Sequence, residues 1–164
     1  WFVEKVIQVN SANDEMSKIN GMNSQNEVIV NSDNLKGADL KMKQNYSRNA
    51  TDEIKLTNYG TKVLTYRSNA KTELPAVFSE IYYDKGWKAY IDNKETPILK
   101  SNYLLRSIVI PAGSHTVKFE FKPESYYSNI IYAQICEWLS ILLILILIGT
   151  WVKEYNAKQK KELR

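Results

Sequence analysis

Residues that carry chemistry are scarce in this 164-residue chain. It has one cysteine, Cys136, and one histidine, His115. A lone cysteine makes neither an intramolecular disulfide nor a thiolate metal site, so packing must hold the fold together. One histidine without cysteine partners falls short of a zinc ligand set, and His115, in an SHT stretch after a PAG turn, reads as a surface residue. The chain has no glycine-rich phosphate loop, no G-x-S-x-G elbow and no His-Glu-x-x-His helix. Neighbouring carboxylates such as Asp52 and Glu53 point to opposite faces of a strand, which argues against a glycosidase pair. Neither a catalytic residue nor a cofactor or metal is expected in the chain. Internal repeats and low-complexity tracts are also missing, and the N-x-S/T triplets at Asn45 and Asn49 read as chance in an asparagine-rich chain.

A nucleic-acid field is excluded by where the charge lies. The net charge is +4. The last twelve residues, KEYNAKQKKELR, hold five basic residues against two acidic ones, a net +3, so residues 1–152 carry only +1. No nucleic-acid partner is expected.

The longest apolar run is residues 130–152, IIYAQICEWLSILLILILIGTWV, with Glu137 its one formal charge. As a helix it is roughly 34 Å long, enough to cross a hydrocarbon core about 30 Å thick. It is apolar on all faces, and nothing else in the chain is large enough to surround it, so it reads as a membrane span. Basic residues follow it and no basic cluster precedes it. That predicts a cytoplasmic tail at 153–164 and an extracytoplasmic segment at 1–129. Tyr126, Tyr127 and Tyr132 suit the outer interfacial belt, and Trp151 and Tyr155 the inner one. Glu137, the intramembrane polar residue, has two open readings: it faces protein or a cavity, or it snorkels to the interface. The chain starts at Trp1 inside an amphipathic pattern, and a domain placed outside by its last helix needs an export element upstream. A C-terminal piece of a longer, polytopic membrane protein is therefore expected.

Residues 1–123 read as mainly β. A strand over 1–10, a short helix over 11–20 capped by Ser11, and a strand over 27–31 come first. Residues 32–43 lack periodicity and read as an exposed connection. A hairpin is predicted over 52–69 around Tyr59 and Gly60, followed by a polar link over 70–75. Strands then follow at 76–83, 87–91, 94–99, 104–110 and 114–122. Their turns fall at Asp84-Lys85-Gly86, at Asp92-Asn93 (a primed hairpin turn), at KSNY and at Pro111-Ala112-Gly113. These five strands cannot bury both faces alone, so the earlier strands are expected to supply a facing sheet. The fold class is a jelly-roll-like β-sandwich over 1–123, a linker at 124–129, the transmembrane helix at 130–152 and the tail at 153–164; an open barrel is the alternative.

Two charges sit among apolar strand neighbours: Glu80 between Phe78 and Tyr82, and Arg106 on a face with Ile108 and Ile110. Unpaired burial of charge costs several kcal/mol. Either Glu80 and Arg106 form a buried ion pair, or Arg106 meets an anionic phosphate or sugar acid at the rim. Around the Asp84 turn stand Tyr82, Tyr83, Trp87 and Tyr90. Tyr83, Asp84, Trp87 and Arg106 are the candidate ligand contacts, with core packing the competing reading for the aromatics.

The run VFSEIYYDKGWKAYIDNKETPILKSNYLLRSIVIPAGSHTVKFEFKPESYY, followed by a last hydrophobic helix, resembles the C-terminal end of YfhO-like bacterial membrane proteins. Its motifs are a GW-x-A-x-I-D turn, an N-Y-x-L-R strand and a P-A-G-x-H-T hairpin in fixed order, and WFVEKVIQVNSANDE resembles the segment after that family's membrane core. The resemblance implies a multi-spanning glycosyltransferase of the cytoplasmic membrane. Such an enzyme uses a polyprenyl-phosphate-linked sugar on the outer face and acts on lipoteichoic acid or similar envelope polymers. It also implies that the catalytic acid lies in an early outer loop, outside this chain. This chain is then a non-catalytic accessory β-domain over the upstream membrane core, plus the final span. A membrane-tethered carbohydrate-binding or adhesion module is the alternative.

Overall fold

The computed structural model describes residues 1–37 and 42–162. The chain divides into two compact units, Trp1–Lys122 and Pro123–Arg164. Most strands of the first unit lie in antiparallel sheets. The exception comes first: strands β1 (Lys5–Val9) and β2 (Glu27–Asn31) pair in parallel, joined by helix α1 (Ala12–Ile19). A parallel pair cannot be closed by a tight turn, and the helix supplies the longer connection. Ser11 caps α1 as its sequence predicts, its Oγ accepting from Asp14 N at 3.1 Å. Helix α2 (Ser32–Gly37) follows. This corrects the exposed connection expected over 32–43: Leu35 is buried on α2 and Met42 is buried beyond it, while 38–41 lie outside the described residues. A single buried leucine on so short a helix leaves no period to read.

The remaining strands are β3 (Glu53–Tyr59), β4 (Val63–Ala70), β5 (Leu74–Ile81), β6 (Trp87–Ile91), β7 (Lys94–Thr96), β8 (Leu99–Ser101), β9 (Leu105–Ile110) and β10 (Gly113–Phe121). They form a five-stranded sheet, β3-β4-β10-β6-β7, and a three-stranded one, β5-β9-β8. The sandwich core between them is Leu64, Phe78, Ala89, Ile108, Ile110, Val117 and Phe119, with Phe2 from the N-terminal segment. The later strands do not make one sheet faced by the earlier ones. They are shared between both sheets, and the chain crosses between sheets at four steps: β4 to β5, β5 to β6, β7 to β8 and β9 to β10. One is at Pro97, where the predicted strand 94–99 divides into β7 and β8; proline has no N–H to continue a ladder, so the chain turns a corner there. Another is the step from β4 to β5, where Leu74 and Pro75 are buried in β5 instead of lying in a polar link.

The three-stranded sheet is covered on both faces. Its second face packs on Val3, Val6, Val28, Val30 and Leu35, through Val77 and Leu99. Hence β5 reads LPAVF, five consecutive buried residues, where β10 alternates. Phe2 extends this sheet by bridging Ala76, with Val3 N donating to Pro75 O and Val77 N to Trp1 O.

Turns gather at two ends of this unit. At the exit end, where β10 finishes and the chain continues into the second unit, lie the turns 60–62, 82–86 and 102–104: Phe121 N donates to Lys62 O, Lys122 N to Gly86 O and Tyr82 N to Leu104 O. The opposite end holds the β4–β5 link, the Asp92-Asn93 turn and the turn 111–113. Asp92 and Asn93 have φ of 48° and 67°, the primed turn predicted for them; Asn102 and Tyr103, at 47° and 67°, form a second one.

The second unit is one helix, α3 (Glu124–Glu162). Residues 124–129, expected as a linker, are its opening turns. Residues Asn129–Lys153 are long and apolar enough to cross a membrane, and their large apolar side chains are exposed. The last two tail residues, 163–164, lie outside the described residues.

Candidate functional site

Arg106 is the centre of the exit end. It follows directly from Leu105, whose backbone pairs with Ile81, and its own backbone faces Phe78 and Lys100. That places the guanidinium between the two sheets, 2% exposed. Its Cζ lies 4.4 Å from the Trp87 ring centroid and 5.1 Å from that of Phe119. Nη2 reaches Glu80 Oε2 at 3.7 Å, so the structure brings these two charges together. The distance is long for a charge-assisted hydrogen bond, and Glu80 is partly open to solvent. Nε and Nη1 have no hydrogen-bond partner among the described residues, and the guanidinium carbon lies over the faces of Trp87 and Phe119. Burial lowers the Arg106 pKa from its ordinary value, with Glu80 acting in the opposite direction. Beneath the guanidinium, Tyr66, Phe78 and Phe119 pack edge to face at 4.7–6.0 Å. Burial raises the Tyr66 pKa, and Glu80 adds to the rise.

The other predicted residues divide. Tyr83 and Asp84 are exposed in the turn 82–86, whereas Arg106 is buried. Trp87 is half-buried, roofing Arg106 and packing on Phe121 at 5.4 Å. Gly86 is needed where it stands, because a Cβ there would lie 2.4 Å from Phe121 Cε2. Glu137 is exposed on α3.

The opposite end holds the histidine. His115 Nδ1 lies 2.6 Å from Asp92 Oδ2, and Nε2 lies 3.1 Å from Ala112 O. Asp92 Oδ1 accepts from Thr116 N at 2.8 Å. Both ring nitrogens face oxygen acceptors, which the doubly protonated imidazolium satisfies. The Asp92 hydrogen bond accordingly raises the His115 pKa, and His115 lowers that of Asp92. This arrangement ties the Asp92-Asn93 turn to the turn 111–113, where Gly113 has φ 120°.

A third constellation has no signature in the sequence. Asn102 N donates to Ile29 O, and Asn102 Oδ1 accepts from Ile29 N, both at 2.8 Å, so one residue completes the edge of β2. Glu15, 2% exposed on α1, accepts from Tyr103 N at 2.7 Å. Acceptors that act 73 and 88 residues away from their donors leave no local pattern. Among the described residues, no group of three or more histidine, cysteine, aspartate or glutamate side chains is placed to hold a metal ion.

Each motif stretch therefore has a structural task. GW-x-A-x-I-D supplies Gly86, Trp87 and Asp92; N-Y-x-L-R supplies the β2 edge and the buried arginine; P-A-G-x-H-T supplies the histidine latch. The chain thus combines a β-domain built largely of antiparallel strands with a C-terminal helix long and apolar enough to cross a membrane. The family described as bacterial membrane protein YfhO matches residues 7–132, and the chain belongs to it. No curated protein and no solved structure matches the chain.

Proposed function

We propose that this chain is the accessory extracytoplasmic domain and final span of a polytopic membrane glycosyltransferase. That enzyme would take sugar from a polyprenyl-phosphate carrier on the outer face and act on an envelope polymer, with the catalytic groups carried by the membrane core of the same polypeptide. The tail 153–164 is cytoplasmic and residues 1–129 are outside. The observation that carries the non-catalytic part of the reading is Arg106: the most ligand-like charge in the chain is 2% exposed beneath Trp87. A group in that position orders the sandwich. It does not reach a substrate without a large opening of the fold. His115, the usual proton carrier, is likewise committed on both ring nitrogens.

Deleting residues 1–123 in the producing strain while keeping every span tests the reading. Sugar addition to the envelope polymer is expected to stop while the lipid-linked donor accumulates. Unchanged glycosylation with a well-expressed deletion protein would leave a tethered carbohydrate-binding module as the better account.

A further inference from the structure

The two ends of the β-domain differ in what they expose. Tyr59, Ile81, Tyr83, Tyr103 and Leu104 are exposed, at 71%, 61%, 50%, 37% and 51%, and all stand in or beside the turns of the exit end. Among the described residues of this unit only Met16 and Leu56 are other large apolar side chains with such exposure, and Met16 follows Glu15, which holds Tyr103 N. Lys62, Lys85 and Lys122 are exposed at the same end. The opposite end presents Lys71, Glu73, Asp92, Asn93 and Ser114, with no large exposed apolar side chain among the described residues.

Chain connectivity says what the exit end is near. Helix α3 begins at Glu124 and runs without a break into the apolar segment Asn129–Lys153. Two extended steps plus five helical residues keep Lys122 within about 15 Å of the start of that segment, whatever the backbone does at Pro123. The headgroup zone is roughly 5–8 Å deep on each side of the hydrocarbon core. Tyrosines with aliphatic neighbours and lysines make up the composition that this zone favours, apolar bodies in the acyl boundary and polar tips or cations among the headgroups. A purely solvent-facing end has no use for five such side chains in one place.

We propose that the exit end of the β-domain is a lipid-docking surface. Ile81, Tyr83 and Leu104, flanked by Tyr59 and Tyr103, enter the headgroup layer, and Lys62, Lys85 and Lys122 meet anionic lipid phosphates. The opposite end, about 30 Å away along the nine residues of β10, is held clear of the membrane. The inference rests on the membrane character of the chain and on its connectivity, and does not depend on the transferase reading.

Depth-dependent quenching tests it in the whole 164-residue chain, reconstituted into nanodiscs of phosphatidylcholine and phosphatidylglycerol. In a Cys136→Ser background, one fluorophore is placed by Asp84→Cys, which leaves every apolar side chain of the exit end in place, and another by Ser114→Cys at the opposite end. Lipids spin-labelled at the headgroup are expected to quench the probe at 84 severalfold more than the probe at 114. Adding Ile81→Ser, Tyr83→Ser and Leu104→Ser, all exposed positions, should reduce the quenching at 84. Equal quenching at the two positions overturns the proposal and assigns the apolar end to a protein partner. So does stronger quenching at 114, or quenching at 84 that survives the triple replacement.

Discussion

Both ends of the β-domain carry a pair of opposite charges, and the two pairs are built differently. At the exit end Arg106 is buried under an indole, 3.7 Å from a half-open carboxylate, with two of its nitrogens without a hydrogen-bond partner among the described residues. At the opposite end His115 and Asp92 lie 2.6 Å apart at the surface, with every polar atom of the imidazole engaged. The first pair belongs to packing: removing either partner exposes a mismatch inside the sandwich. The second belongs to turn geometry, joining two loops that solvent can already satisfy. The same pairing of charges thus has a large energetic role where water is excluded and a small one where it is not.

Replacing Glu80 with Leu should be the most damaging test of that contrast. It strands a buried cation, and a loss of about 3 kcal/mol is expected. Combining it with Arg106→Met should recover much of the loss in a double-mutant cycle read by thermal melts of the detergent-solubilised chain. Additive losses would mean that Arg106 is held by its rings alone. Next comes Glu15→Ala, which takes the acceptor away from the part-buried Tyr103 N–H. About 1–3 kcal/mol is expected, with faster amide exchange confined to α1 and the turn 102–104, and Glu15→Gln should restore part of it. Gly86→Ala forces Phe121 off Trp87 and should cost about 1 kcal/mol or more, visible as a shifted tryptophan emission.

The smallest effect belongs to the histidine latch and has a defined sign. The His115 pKa is raised, so its contribution is complete below the ordinary value of 6.5 and is lost as pH rises through the folded value above that. The Asp92 pKa is lowered, so its contribution is present above 3.8 and is lost as pH falls through the folded value below that. Melting temperature should therefore fall gently as pH climbs beyond 6.5, and His115→Gln should flatten that alkaline limb while leaving the buried pair unaffected.

The sequence announces the opposite end better than the exit end. Asp92-Asn93 and Pro111-Ala112-Gly113 are turn signals with a local mechanism, and the alternation of β10 marks Val117 and Phe119 as core. The apolar helix is equally plain from run length. What sequence reasoning misses is set by distance along the chain. Nothing near Asn102 reveals that it completes β2, and nothing near Glu15 reveals its partner. The division of strands between sheets is missed for a similar reason, since alternation says which face is apolar but not which sheet it faces. Glu80 and Arg106 were identifiable as a problem because both stand among apolar neighbours. The roof of Trp87 over the guanidinium joins residues 19 positions apart on strands of different sheets, and no local pattern announces it.

If the exit end lies in the headgroup layer outside the cell and the opposite end projects away from it, labelling of intact cells by a membrane-impermeant maleimide separates three positions. With Cys136→Ser as background, the probes are Ser114→Cys, Asp84→Cys and, in the tail, Lys158→Cys. Fast labelling at 114, slow labelling at 84 and none at 158 is the predicted order. Labelling at 158 from outside, or equal rates at 84 and 114, would contradict the account.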